Sequence, residues 1–269
     1  MPAISPRRPR AVPILGCGID PLRQDEVLHW CFETCRGDHR ARILLTANAS
    51  HLVAMQDDDG LREAARAADL VTPDGMSLVW AGRLLGGEIP ERVAGIDLLE
   101  ALLRGAPAKG LRVFLLGAKP AVMQRFVAHC RSSYPGIEIA GWRDGYFSVR
   151  QEPEVARAIR AARPDMLFVA MSSPRKEYFL GRWGSELGVP FSMGVGGAID
   201  VLAGVTRRAP HVLQRLGLEW AYRVAQEPRR LARRYAVTNS LFIVMTLRSA
   251  GQRRRDRPPL LRAGSRWHG

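Results

Sequence analysis

Several polar residues stand where an apolar segment of the sequence gives way to a helical pattern. Asp74 follows the segment "DLVTP", and Thr46 and Asn48 end the segment "RILLTAN". A lone carboxylate such as Asp74 can accept a proton from an attacking hydroxyl group, which is the work of a general base. Turn chemistry is the alternative for Asp74 and Gly75, and helix capping is the alternative for Asn48. Together these residues predict a shared pocket.

Glycine-rich turns after apolar segments could place backbone amides against a phosphate group. The turns are "GCGID", "GAKP" and "GVGGAID", and the first two match neither GxGxxG nor the P-loop pattern. Glycines at such turns let a ligand approach the backbone closely, but tight packing accounts for them equally well. The candidate binding residues in these turns are Gly117, Gly194, Gly196, Gly197 and Asp200.

Other charged residues give a weaker chemical signal. Arg92, in "ERVAGIDLL", is either a phosphate ligand or one half of a surface ion pair. The Asp-x-Asp spacing at residues 57–59 is one that nucleotide-sugar enzymes use for a divalent metal, but here it reads as a solvated turn at the end of a helix. No His pairs with Ser or Cys in a nucleophile motif, and the four cysteines form no zinc pattern. The sequence therefore predicts no metal and no cofactor.

The elements that must position these residues alternate between strand and helix. Strands are predicted at residues 12–19, 42–48, 69–73, 111–118, 137–142, 165–171 and 190–196. Helices are predicted between most of them, with Asp20 and Pro21 as the cap and first residue of the first helix. Apolar strands alternating with helices predict an α/β fold, with a mainly parallel, Rossmann-like sheet covered by helices on both faces.

Charge divides the chain into regions. A basic arm predicted to be disordered (1–11) precedes an α/β domain (12–206), a basic helical appendage (207–250) and a disordered tail (251–269). With 40 Lys+Arg against 26 Asp+Glu, the net charge of +14 predicts an anionic partner: nucleic acid, an acidic membrane surface or a phosphorylated substrate. The segment "AVTNSLFIVMTL" is shorter than the roughly 18 residues that cross a bilayer, although it could lie on one.

Five segments of the chain resemble the WecB/TagA/CpsF family of bacterial glycosyltransferases, also called glycosyltransferase family twenty-six. The resemblance covers about residues 12–248, in the order that the family shows. The segments are "TANASHL", "ADLVTPDGMSLVWAGRLLGGEIPERVAGIDLL", "VFLLGAKPAV", "SSPRKEYFL" and "GVGGAIDVLAGVTRRAPHVLQRLGLEWAYRVAQEPRRLARRY".

The resemblance implies a peripheral enzyme on the cytoplasmic face of the bacterial inner membrane. Such enzymes transfer a sugar from a UDP-sugar to a polyprenyl-diphosphate-linked sugar, with inversion and without a metal, for cell-surface or exopolysaccharide synthesis. The family's catalytic Thr and Asp fall on Thr46 and Asp74, with Asp74 as the general base. The appendage would close over the site and meet the anionic membrane, and its Arg208, Arg223 and Arg230 would face the diphosphate. The resemblance also implies a homo-oligomer.

One position departs from the family pattern. Where many members have Pro-Lys-Gln-Glu, this chain has "PRKE", which places Lys176 where Gln is expected, next to Glu177. Both residues are predicted to bind substrate. Because a Lys ammonium and a Gln amide form different hydrogen bonds, the expected donor widens from N-acetylmannosamine or its uronic acid to glucose or another hexose. The change Lys176→Gln is therefore predicted to alter donor preference.

Two rival functions fit the basic composition. The first is nucleic-acid binding, but aromatic residues are not interleaved with the Arg clusters and no DNA- or RNA-binding module is visible. The second is a non-catalytic scaffold at the membrane surface, which the family-like arrangement of Thr46, Asp74 and Arg92 argues against. Binding of UDP, of duplex DNA and of anionic vesicles would separate the three.

Overall fold

A six-stranded parallel sheet is the centre of the chain, in a computed structural model that describes residues 10–37 and 40–255. Its strands are β3 (Arg42–Ala47), β4 (Leu70–Pro73), β5 (Arg112–Gly117), β6 (Glu138–Arg143), β7 (Met166–Ala170) and β8 (Phe191–Gly194). Their order in the sheet is β4-β3-β8-β7-β5-β6. The short strands β1 (Val12–Ile14) and β2 (Cys17–Ile19) pair with each other as an antiparallel hairpin.

Helices cover both faces of the sheet, which confirms the predicted α/β fold. The helices of the α/β domain are α1 (Gln24–Arg36), α2 (Ala49–Ala54), α3 (Asp59–Ala67), α4 (Met76–Leu84), α5 (Gly95–Gly105), α6 (Pro120–Ser133), α7 (Glu152–Ala162), α8 (Arg175–Trp183) and α9 (Ala198–Leu202). One face packs against α1, α5, α6 and α9, and the other against the remaining helices and the hairpin. Every residue of β4, β7 and β8 is buried, as a parallel sheet covered on both faces requires.

The start of the domain differs from the sequence prediction. Residues 12–19 form a hairpin rather than one strand, because Leu15 (φ 47°) and Gly16 (φ 82°) make a tight turn with two positive φ angles. The first helix begins at Gln24 and not at Pro21. Asp20 instead joins the hairpin to the edge of the sheet: its amide donates to the Val71 carbonyl, and its carboxylate accepts from the Val71 amide, both at 2.8 Å.

Two other predictions need correction. Asp58 does not end a helix; its carboxylate caps the start of α3 by accepting from the Leu61 amide at 2.9 Å. The appendage begins at residue 207, and its helices are α10 (His211–Arg215), α11 (Glu219–Gln226) and α12 (Pro228–Arg255). Because α12 continues to Arg255, residues 251–255 are helical where a disordered tail was predicted. The rest of that tail and residues 1–9 of the predicted basic arm lie outside the described residues.

The appendage packs on the same side of the domain as the hairpin. Helix α12 lies along α2, where the Ser50 hydroxyl donates to Thr238 Oγ1 at 3.3 Å, and α12 buries Phe242 in the core beneath it. The turn at Gly217, between α10 and α11, lies against Met76 and Trp80 of α4. Among the described residues, no helix combines the length and the apolar character that a membrane span needs.

Candidate active site

The carboxyl ends of β3, β4 and β8 bring the predicted catalytic residues to one edge of the sheet. In a parallel α/β sheet this edge is where ligands bind. Asp74 follows β4 directly, and its amide donates to the Ala47 carbonyl at the end of β3 at 2.7 Å. The chain then turns at Gly75, whose φ of 145° suits glycine, and α4 begins at Met76. Asp74-Gly75 therefore forms a turn that places a carboxylate at the ligand edge, and catalysis by Asp74 stays a prediction.

Asp74 is a carboxylate whose charge is disfavoured by its surroundings. Burial raises the pKa of Asp74 above the ordinary Asp value, and the nearby Glu219 carboxylate raises it further. The guanidinium groups of Arg223 and Arg92 oppose this shift, as does a hydrogen bond from the backbone amide of Gly95. Because Gly95 is the first residue of α5, the positive end of that helix faces the carboxylate. Such a group is suited to accept a proton.

Thr46 lies near the end of β3, next to Gly95. Its side chain is buried, and its hydroxyl donates to the Gly194 carbonyl at 3.4 Å, a long hydrogen bond. A methyl group added to Gly95 would lie 3.4 Å from that hydroxyl. Thr46 therefore connects β8 to the start of α5, the segment whose amide holds Asp74.

Three arginines and two carboxylates alternate at the mouth of the site. Arg92 Nη1 lies 3.0 Å from Glu219 Oε2, and Arg92 Nη2 lies 3.9 Å from Asp97 Oδ2. Arg208 Nη2 lies 2.5 Å from Asp97 Oδ1, and Arg223 Nη2 lies 3.8 Å from Glu219 Oε1. The structure thus brings together Arg92 from the α/β domain and Arg208 and Arg223 from the appendage, and their binding of diphosphate stays a prediction.

The remaining predicted arginine is Arg230, and one further property of Arg208 bears on the site. Arg230 belongs to α12, but its side chain lies outside the described part of the structure. Arg208 has a spare hydrogen-bond donor, because its Nε is buried without an acceptor among the described residues. A donor of this kind is expected to find a ligand or water partner.

Lys176 and Glu177 are buried in an ionic cluster with His51. The Lys176 ammonium donates to Glu177 Oε1, and His51 Nε2 donates to the same oxygen at 3.1 Å. His51 Nδ1 accepts from the Asn48 amide at 3.3 Å, which assigns the ring proton to Nε2. Burial opposes the charge of Glu177, but the His51 and Lys176 interactions outweigh burial and lower the pKa of Glu177 to about 2.

The cluster changes how two sequence predictions are understood. Lys176 is only 4% exposed and its ammonium is paired with Glu177, so a contact between Lys176 and the donor sugar stays a prediction. Asn48 caps α2, because its side chain accepts from the His51 amide at 3.2 Å. Of the two readings left open for Asn48, capping is confirmed.

The predicted glycines fall into two groups. Packing explains Gly117 and Gly194: a side chain on Gly117 would collide with the Ala170 backbone, and one on Gly194 would crowd Lys176. Gly196, with a φ of 50°, and Gly197 are accessible at the sheet edge and leave room for a ligand to approach. Asp200 lies just beyond them in the first turn of α9. Phosphate binding by any of these residues stays a prediction.

Comparison with known proteins shows which family the chain belongs to. The model of the Glycosyl transferase WecG/TagA/CpsF family matches residues 12–256. The chain belongs to this glycosyltransferase family. An enzyme from Bacillus spizizenii, named N-acetylglucosaminyldiphosphoundecaprenol N-acetyl-beta-D-mannosaminyltransferase, is 34% identical over 207 residues, which are 77% of this chain and 80% of the relative. An enzyme of the same name from Bacillus subtilis is 36% identical over 203 residues, or 76% of this chain and 78% of the relative.

This family member contains two site residues that the sequence reasoning did not select. Glu219 was overlooked because its role depends on contacts between the appendage and the domain, which helical spacing does not reveal. His51 lies in "TANASHL", three residues after the helix cap, and that spacing could have indicated its hydrogen bond to Asn48. Among the described residues, no group of three or more His, Cys, Asp or Glu side chains is arranged to hold a metal ion.

Proposed function

We propose that this chain transfers a sugar from a UDP-sugar to a polyprenyl-diphosphate-linked sugar, with inversion and without a metal ion. The product serves cell-surface or exopolysaccharide synthesis. The observation that carries the proposal is Asp74, a carboxylate of raised pKa at the ligand edge of the sheet, which interacts electrostatically with Arg92 of the domain and Arg223 of the appendage. The names of the two Bacillus relatives support the class of acceptor, because both names contain a diphosphoundecaprenol-linked sugar.

The proposed chemistry is a single displacement at the anomeric carbon of the donor. An acceptor hydroxyl attacks that carbon and gives its proton to Asp74, while the bond to the UDP oxygen breaks and UDP leaves. One attack from the face opposite the leaving group inverts the anomeric centre. Thr46 is proposed to position Asp74 indirectly. It packs next to Gly95, whose amide donates a hydrogen bond to the Asp74 carboxylate.

Arginines and backbone amides are proposed to stabilise the charge that develops on the leaving diphosphate. Arg92, Arg208 and Arg223 provide planar guanidinium groups that can bind phosphate oxygens in pairs. Gly196 and Gly197 provide accessible backbone at the same edge of the sheet. These groups can supply the electrostatic stabilisation that a divalent metal gives in other sugar transfers.

The appendage is proposed to hold the enzyme on an anionic membrane surface, on the cytoplasmic face of the inner membrane. The appendage is rich in arginine, and apolar side chains are exposed on it and on the adjoining α4. Those side chains are Trp80, Leu84, Val212, Leu216 and Trp220. Basic and apolar groups on one surface are typical of proteins that lie at a lipid headgroup layer.

The decisive experiment measures UDP release from a panel of UDP-sugars in the presence of a polyprenyl-diphosphate-linked N-acetylglucosamine. The panel contains the donors N-acetylmannosamine, its uronic acid, glucose and N-acetylglucosamine. We expect release that requires acceptor and persists in excess EDTA. The change Asp74→Asn should lower turnover by about 10²- to 10⁴-fold, the contribution of a positioned general base, and should leave UDP binding intact.

The matched control is Asp25→Asn, which makes the same change on the exposed surface of α1 and should leave turnover unchanged. Near-normal turnover by Asp74→Asn would remove Asp74 as the base. Release that stops in EDTA would contradict the metal-independent mechanism. A chain that binds duplex DNA with a steep salt dependence and ignores UDP would contradict the proposed function altogether.

A further inference from the structure

An unbroken series of five alternating charges crosses from the α/β domain to the appendage. Its order is Arg223, Glu219, Arg92, Asp97 and Arg208. The two ends of the series belong to the appendage, and its centre belongs to the domain. All five side chains are shielded from solvent to a considerable degree, so these ion pairs are screened less than ordinary surface pairs.

Glu219 lies between two of the arginines, Arg92 and Arg223. Its Oε2 faces Arg92 at 3.0 Å and its Oε1 faces Arg223 at 3.8 Å, so the two carboxylate oxygens serve two guanidinium groups. A phosphate group presents its oxygens to paired arginines in a similar way. The carboxylate therefore stands where a phosphate oxygen of a bound substrate would stand.

We propose that Glu219 is an internal substitute for a diphosphate group. It holds Arg92 and Arg223 in place when the site contains no substrate, and it releases them when a diphosphate binds. Asp97 plays the same part for Arg208. The inference rests on the proposed function, because it requires the arginines to bind diphosphate.

The balance of charge favours this exchange. The series contains three guanidinium groups and two carboxylates, which leaves one positive charge in excess. A diphosphate carries more charge and more acceptor oxygens than a single carboxylate, so it can displace Glu219 from both arginines at once. The Arg208 Nε, which is buried without an acceptor among the described residues, gives the incoming anion one further donor.

The exchange also changes the ion pairs that join the appendage to the domain. Arg92 to Glu219 is an ion pair between the segment before α5 and the first residue of α11, and Arg208 to Asp97 is a second link. When a diphosphate replaces the carboxylates, these direct links become links through the ligand. Substrate binding is then coupled to the position of the appendage.

The test measures the dissociation constants of UDP and of inorganic diphosphate for the full-length chain by calorimetry. Because Gln cannot compete as an anion, Glu219→Gln should bind both ligands about three- to tenfold more tightly, in keeping with the loss of one competing ion pair. Glu138→Gln is the matched control. Glu138 also pairs with an arginine, Arg112 at 2.6 Å, but at the opposite end of the sheet, and this change should leave both constants unaltered.

Each outcome separates the inference from the proposed function. Equal or weaker binding by Glu219→Gln would overturn the inference, because it would show that Glu219 only positions the arginines. Asp97→Asn is the second variant, expected to tighten binding as well, and it decides the matter if Glu219→Gln does not fold. A wild-type chain that binds neither UDP nor inorganic diphosphate would instead refute the proposed function.

Discussion

Burial of Asp74 favours the protonated carboxyl group, whereas a general base must be an ionised carboxylate. Because its pKa is raised, the carboxylate takes up a proton at a higher pH than an ordinary Asp, whose pKa is about 3.9. A general base must be ionised, so we expect kcat/KM to fall as the pH is lowered through this raised value. A pH–rate profile measures the effect, and an acid limb at or below the ordinary Asp value would contradict it.

Thermal unfolding gives an independent readout of the same group. Between the ordinary and the raised pKa, folded Asp74 binds more protons than unfolded Asp74, so its contribution to stability declines as the pH rises through that window. The neutral amide of Asp74→Asn avoids this penalty. The variant should therefore melt at a higher temperature than wild type at pH 7, and the difference should disappear near pH 3.

Lys176 is expected to matter for stability more than for the choice of donor. Its ammonium is buried against Glu177 and His51, so Lys176→Gln leaves the Glu177 carboxylate with a weaker partner. Breaking a buried ion pair costs about 3 kcal/mol or more. We expect a clear loss of melting temperature, while the relative rates across the panel of UDP-sugars stay the same.

The control for Lys176 is Lys119→Gln, which removes an exposed ammonium and should leave the melting temperature unchanged. A changed order of donors at unchanged stability would restore the prediction made from the sequence, that this position reads the donor. The burial of Lys176 favours a role in stability over a role in donor recognition, and this burial cannot be read from the segment "PRKE".

Among the elements, α10 and the turn after it present the exposed apolar side chains Val212 and Leu216, which are 67% and 57% exposed. If the appendage lies on a membrane, both side chains enter the headgroup layer. Burying each should contribute roughly 1–2 kcal/mol. Replacing both with Ser should therefore weaken binding to vesicles of anionic phospholipid by at least about tenfold.

Sedimentation with vesicles measures this binding. Val149→Ser is the control, because Val149 is also exposed, at 64%, but precedes α7, far along the chain from the appendage. Equal vesicle binding by the double Ser variant and wild type would remove this surface of the appendage from the membrane contact.

The elements also show which parts of the fold the sequence discloses. The six sheet strands were predicted because each is an apolar run bounded by Gly, Pro or a polar residue. The hairpin was missed because Leu15 occupies a turn position with positive φ, where Gly, Asn or Asp is expected. The positions of Thr46 and Asp74 follow from strand ends alone. Glu219 could not be found in this way, because ion pairs between distant segments leave no periodic pattern.

For the molecule as a whole, the appendage is strongly basic, and its Arg208 pairs with Asp97 of the domain. A net charge of +14 attracts any anion, but the site offers its arginines only through exchange with Glu219 and Asp97. The net positive charge therefore attracts anions of any kind to the surface. The ion-pair series binds only those anions that carry enough charge to displace Glu219 and Asp97 from the arginines.

The double hydrogen bond between Asp20 and Val71 has a consequence for how this sheet meets other chains. Val71 lies in β4, at one margin of the sheet, and an uncovered margin offers amides and carbonyls to any extended strand nearby. The hairpin occupies that margin, so β4 cannot recruit a strand from another molecule there. At the other margin, β6 carries Glu138 and Arg143, whose charges discourage such pairing. The carboxyl edge of the sheet can therefore stay accessible while its lateral margins resist aggregation.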